Sequence, residues 1–157
     1  KRGEAAGIDA AVVSRRDCSA QAEFEERISA ELASRGIEMI ILAGFMSILS
    51  ADFTAKYERR IINVHPSLIP SFCGKGFYGL RVHEAALAYG VKVTGATVHY
   101  VNEIPDGGRI ILQKAVDILP GDTPELLQRR VMEQAEWKIL PQAAELVDGR
   151  LAGEAGR

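Results

Sequence analysis

The chain is poor in cysteine, with Cys18 and Cys73 the only 2 among 157 residues. A disulfide framework is excluded, and two reduced thiols in unrelated local contexts are expected. No apolar run approaches the roughly 18 residues that a bilayer span needs. The opening KRGEAAGIDAAVV also lacks the apolar stretch of a secretory signal. No membrane association and a cytoplasmic location are therefore expected. Positive charge is not in excess either: 19 Lys and Arg face 21 Asp and Glu, for a net charge of -2. Nothing here rewards a phosphate backbone or an anionic surface, so nucleic acid is not an expected partner. The chain has no initiating Met, no internal repeat and no low-complexity linker. KRGEAAGI reads as the tail of a helix running into Gly7, which suggests a domain lacking its front end.

What is present suits one globular domain spanning residues 1–157. At this length folding buries roughly two thirds of the unfolded surface, and 47% hydrophobic residues are enough to fill a core. Ala10 to Ser14 reads as a strand, and Phe24, Ile28 and Leu32 recur at helical spacing until Gly36. Glu38 to Phe45 and Ile61 to Val64 are short apolar runs of the kind found in buried parallel strands, joined by a helical SILSADFTAKYERR. LRVHEAALAY is helix-like and stops at Gly90. Thr94 to Val101 and Arg109 to Leu119 are β-rich runs joined through Pro-Asp-Gly-Gly, which predicts an antiparallel hairpin. Thr123 then caps a long helix with Pro124 at its first position. Leu126, Leu127, Val131, Ala135 and Leu140 are its expected buried side, and Pro141 is expected to end or kink it. The alternation predicts an α/β fold with a mainly parallel, Rossmann-like sheet, an antiparallel hairpin towards the C-terminus and flanking helices.

Two signals compete within NVHPSLIPSFCGKGFYGLRVHEA. Gly74, Gly76 and Gly79 spell G-x-G-x-x-G, but Pro66 and Pro70 separate them from the strand, and Phe77 and Tyr78 are bulky where a dinucleotide must approach. A surface loop bordering a site is the better reading. Asn63 and His65 lie two apart at a strand end and so point the same way, toward the crevice where α/β sheets place ligands. An amide there can donate to a developing oxyanion, and an imidazole can polarise the same oxygen or carry protons. On the tripeptide alone, an Asx-type turn before His-Pro is the stronger alternative. Asp106 is equally well explained as turn chemistry, unless the hairpin folds back toward His65. His83 shares a helical face with Leu80 and Leu87, as a core or pocket-wall histidine does. His99 reads as a packed strand residue. HEAAL lacks the second histidine of a zinc motif, so no metal is expected. Neither cysteine has a visible activating base.

Taken together, ILAGFMSILS, INVHPSLIPSF, GVKVTGATVHYVNEIPDGGRIILQ and AEWKILP resemble the phosphoribosylglycinamide formyltransferases, within the folate-dependent formyltransferase superfamily. The resemblance covers essentially the whole chain. It implies transfer of the formyl group of 10-formyltetrahydrofolate, a co-substrate, to the amine of phosphoribosylglycinamide, without a metal, in a monomer or homodimer. It implies that Asn63 steadies the tetrahedral oxyanion, that His65 polarises the formyl oxygen, and that Asp106 supports His65 and moves protons. Met46, Ser47, Ile48 and Leu49 match one wall of the folate pocket, with Val101, Asn102 and Glu103 on the other. Glu136 matches the acidic residue that holds the ribonucleotide. The family's first strand and its glycine- and serine-rich phosphate loop have no counterpart before Ala10. The expectation is thus a catalytic domain without its N-terminal strands, binding the ribonucleotide poorly.

Three rivals differ in identifiable features. Formyltetrahydrofolate deformylases typically carry a second His where this chain has Pro66. Methionyl-tRNA formyltransferases must bind RNA, which the charge balance disfavours. A non-catalytic nucleotide-binding module would rest on the glycine fingerprint alone.

Overall fold

A computed structural model of the chain describes residues 2–45 and 47–155. Backbone contacts divide it into two compact units, one running to Glu38 and the other beginning at Met39. The first holds α1 (Arg2–Ala5), a 3₁₀ turn (Arg15–Asp17) and α2 (Gln21–Ser34). The start of α2 is secured by Glu23, whose carboxylate accepts hydrogen bonds from the Ser19 amide at 2.8 Å and the Ser19 hydroxyl at 2.7 Å. The helix stops before Gly36, which takes a φ of 62°. Ala10 to Ser14 forms no strand, contrary to expectation. Val12 is 92% exposed, and without a ladder partner among the described residues its β propensity has nothing to act through.

The second unit contains β1 (Ile40–Leu42), α3 (Ala51–Lys56), β2 (Ile61–His65), α4 (Leu80–Tyr89), β3 (Val93–Tyr100), β4 (Ile110–Asp117) and α5 (Pro124–Val131). A π-helical turn (Met132–Glu136) follows α5 and leads into α6 (Trp137–Ala155). The α/β architecture, the flanking helices and the late hairpin are as expected. The described strands form a mixed sheet in the order β1-β2-β3-β4. β1 and β2 are parallel, while β2–β3 and β3–β4 are antiparallel. The long segment between β2 and β3, carrying α4, returns the chain beside β2 in the opposite sense. The expected strand at Glu38 to Phe45 shortens to Ile40–Leu42.

Local chemistry explains the element ends. The Ser50 hydroxyl accepts the Phe53 amide at 3.2 Å and caps α3. The Thr123 hydroxyl does the same for Leu126 at 3.3 Å, ahead of Pro124. Gly90 closes α4 in the left-handed conformation.

The core lies between the sheet and the last helices. Ile62, Ala96, Val98 and Val116 from the sheet meet Leu127, Val131, Ala135, Ile139, Ala143 and Val147. Those six helical residues are spaced by four, a pattern that drifts about 40° per step on an α-helix of 3.6 residues per turn. The π turn absorbs an extra residue and takes back about 100° of that drift, which keeps the apolar stripe on the sheet. Leu126, expected inside, is 54% exposed because it lies about 100° around the helix from Leu127. Pro141 does not end the helix, which runs on to Ala155. Burial of Ile139 and Ala143 on either side of the proline holds the helix through the lost hydrogen bond.

Two features of the hairpin aim its tip. A bulge shifts the register between Val98 and His99, so that His99 pairs with Ile110 and not Ile111. At the turn, Asp106 takes a φ of 55°, a left-handed conformation that Asp tolerates better than most residues. A Cβ on Gly108 would sit 1.7 Å from the Tyr100 carbonyl oxygen, so only glycine lets the returning strand pass this close. Gly108→Ala must move backbone, at an expected cost of about 1–3 kcal/mol. Thermal unfolding will show it as a lowered Tm, and an unchanged Tm would contradict the close approach.

Candidate active site

β2 brings Asn63 and His65 to the end of the sheet, on the same side, as the strand alternation requires. Antiparallel pairing sets Asn63 directly opposite His99. The Pro-Asp-Gly-Gly turn then carries Asp106 over both histidines. The Asp106 carboxylate lies 3.4 Å from His65 Nδ1 through Oδ2 and 3.5 Å from His99 Nε2 through Oδ1. It also accepts the Gly74 amide at 2.8 Å. The hairpin therefore folds back as the site requires, and the glycine loop donates a backbone N–H to the carboxylate.

His65 is 4% exposed, and its Nε2–H donates to the Phe72 carbonyl at 2.8 Å. That bond leaves Nδ1 facing Asp106, so both ring nitrogens have acceptors in reach. On the other histidine, Nδ1–H donates to the Tyr100 carbonyl at 2.7 Å. His99 Nε2 then stands between the Asn63 amide nitrogen, 3.4 Å away, and Asp106. As a bare nitrogen it accepts from Asn63; carrying a proton, it donates to Asp106. These long separations leave the ring free to exchange partners. His99 is the residue that sequence reasoning missed. The signal lies in strand register: a β-run whose histidine pairs with Asn63 is not visible until β2 and β3 are known to be neighbours.

Asp106 feels opposed influences. Burial raises its pKa, but the His99 hydrogen bond, the Gly74 amide and the charges of His65 and His99 together outweigh burial and hold the carboxyl below its ordinary range. Asp106 is thus an anion at neutral pH.

Two cavities open onto this cluster. The larger, about 420 Å³, is lined by Ser47, Ile48, Leu49, Val101 and Asn102, with Phe45 and Ile104 adding apolar surface. Of the two walls expected from sequence, Met46 lies outside the described residues, and Glu103 is exposed and not part of the lining. The smaller, about 360 Å³, is lined by His65, His83, Glu136 and Trp137 among others. Asn63 and Asp106 line both. Glu136 reaches the smaller cavity from the π turn, and burial raises its pKa. Gly74 and Gly76, with φ of 84° and 95°, shape a loop whose Lys75, Phe77 and Tyr78 line the larger cavity. The glycine-rich stretch thus borders the site. Among the described residues, no group of three or more His, Cys, Asp or Glu could hold a metal ion, and no helix is long and apolar enough to cross a membrane.

Because the folded pKa of Asp106 is depressed, its contribution to stability is present above the ordinary carboxylate value of 3.8 and is lost as pH falls through the lower folded value. Asp106→Asn should therefore lower Tm at pH 7, and the gap to wild type should narrow as the pH is taken below 4. A gap that is constant over this range would mean the carboxylate charge is not what holds the turn.

A model of the formyl transferase family matches residues 1–144. The chain is 43% identical over 159 residues to the trifunctional purine biosynthetic protein adenosine-3 of Gallus gallus, covering 100% of this chain but 15% of that protein. It is 38% identical to the phosphoribosylglycinamide formyltransferase of Haemophilus influenzae, covering 96% of this chain and 68% of that one. A crystal structure of glycinamide ribonucleotide transformylase 1 from Symbiobacterium toebii superposes with a TM-score of 0.86 at 37% identity, over 95% of this chain and 68% of that chain. The chain thus spans about a seventh of the multifunctional relative and about two thirds of the bacterial ones. Sequence similarity and backbone superposition both extend over that span, and the chain belongs to the formyl transferase family.

Proposed function

We propose that this chain transfers the formyl group of 10-formyltetrahydrofolate to the amine of 5'-phosphoribosylglycinamide, a step of purine biosynthesis. The observation that carries the reading is that two cavities share Asn63 and Asp106, so two small-molecule substrates can meet at one polar cluster. The apolar walls of the larger cavity, including Ile48, Leu49, Val101 and Ile104, suit the flat ring system of a folate. Glu136 in the smaller cavity suits the hydroxyls of a ribose. The names of the bacterial relatives support the same assignment.

In this reading the substrate amine attacks the formyl carbon and the carbonyl oxygen becomes an oxyanion. Asn63 donates an amide N–H to that oxygen, and His65, keeping Nδ1 on Asp106, polarises it with the Nε2–H that it turns away from the Phe72 carbonyl. Collapse of the tetrahedral intermediate breaks the bond between the formyl carbon and N10 of the folate. The proton lost by the amine is delivered to N10, leaving tetrahydrofolate and the formylated amide. Asp106, an anion held by Gly74, orients His65 and relays the proton through water. No metal enters any of these steps. The partners required are small molecules only, in a cytoplasmic setting, with residues 1–157 acting as one catalytic domain.

Removal of a single aimed oxyanion donor typically costs roughly 3 to 4 kcal/mol of transition-state stabilisation. Asn63→Ala should accordingly lower kcat by 10²-fold or more with the fold intact, measured as formylated product by mass spectrometry. Formate release at the same rate with and without the ribonucleotide would reject the transfer reading in favour of hydrolysis.

A further inference from the structure

His83 has no part in the mechanism above, yet its surroundings are those of a ligand-binding group. It sits on α4 between Val82 and Ala86, and all three are 0% exposed. Among the described residues, neither His83 ring nitrogen has a hydrogen-bond partner. Buried polar groups in native proteins are nearly always paired, so an orphan of this kind calls for a specific cause. A pairing with the described residues does not supply it, and His83 is one of the residues bordering the smaller cavity, with His65 and Glu136. Burial, reinforced by the charge of His65, pushes the His83 pKa down to about 4. At neutral pH the ring therefore offers one N–H donor and one bare nitrogen acceptor. Such a pair matches hydroxyls, amides or a neutral amine, and it offers no positive charge to a phosphate. Neither His83 nor Glu136 lines the larger cavity.

We infer that His83 is a further substrate-contacting residue, whose neutral imidazole exchanges hydrogen bonds with a hydroxyl, amide or amine group of the formyl acceptor in the cavity it shares with Glu136. The inference rests on the proposed function for the identity of that acceptor, the ribosylglycinamide. It differs from a packing role in one respect. A buried ring kept for shape alone gains nothing from its nitrogens, and an apolar residue of similar size removes two unmet polar atoms without loss.

The chain's single tryptophan, Trp137, lines the same cavity and is 61% exposed, so its fluorescence reports occupancy directly. The test titrates purified wild type, His83→Leu and His83→Gln with phosphoribosylglycinamide up to millimolar concentration, and measures KM for both substrates and Tm. His83→Leu should weaken acceptor binding roughly tenfold, the equivalent of one or two lost hydrogen bonds, with KM for 10-formyltetrahydrofolate within about twofold. Its Tm should equal or exceed that of wild type, and His83→Gln, which keeps a donor and an acceptor, should recover part of the affinity. Should the substitutions perturb folding, ¹⁵N-histidine NMR of the wild type gives an independent reading, because the His83 ring signals must shift with the acceptor and not with folate. Acceptor affinity unchanged in His83→Leu, or ring signals indifferent to the acceptor, would overturn the inference. Wild-type protein that binds the ribonucleotide without formylating it would instead reject the functional reading, leaving the binding data to decide the role of His83.

Discussion

The site depends on the position of one carboxylate. Asp106 lies within 3.5 Å of His65 and His99 and is fixed from a third side by the Gly74 amide. Each contact comes from a different part of the chain: the end of β2, the far end of β3 and a glycine loop. Electrostatics makes the arrangement self-consistent. Burial alone would raise the Asp106 pKa, and an uncharged carboxyl would neither orient His65 nor hold the loop. The donors around it more than offset desolvation, so the carboxylate stays ionised and binds the three segments together.

That requirement explains several features that look unrelated along the chain. The left-handed Asp106 and the sterically obligatory Gly108 bring the hairpin tip down over the end of β2. The bulge at His99 adjusts β3 against β4 close to the same point. On the opposite wall, the π turn keeps a stripe of residues spaced by four against the sheet and also delivers Glu136 into the smaller cavity. One local irregularity of the helix thus both preserves the core packing and places Glu136 at a cavity, in keeping with the frequency of π turns at functional sites.

The polar groups around the site fall into two kinds. Those of His65, His99 and Asp106 are engaged with the protein and with one another. The His83 nitrogens have no partner among the described residues, and burial raises the pKa of Glu136. The first kind suits groups that must already be aimed when a charge develops. Groups of the second kind gain partners only when a ligand arrives, and their desolvation is a standing cost in the empty protein.

Much of this was legible in the residues themselves wherever the deciding physics is local. The Thr123-Pro124 helix start, the Gly36 and Gly90 stops and the Asp-Gly-Gly turn follow from backbone preferences that operate within a few residues. The pairing of Asn63 with His65 followed from strand alternation in the same way. What lay beyond reach depended on partners distant in sequence. Ala10 to Ser14 has strand composition but no ladder to join, and Leu126 differs from Leu127 only in which way the helix faces the sheet. His99 became part of the site through its register opposite Asn63, and His83 became notable only once its surroundings proved to offer its ring no partner. Local dihedral preference set the elements and their ends, whereas long-range pairing and desolvation decided which side chains meet and which are buried without a described partner.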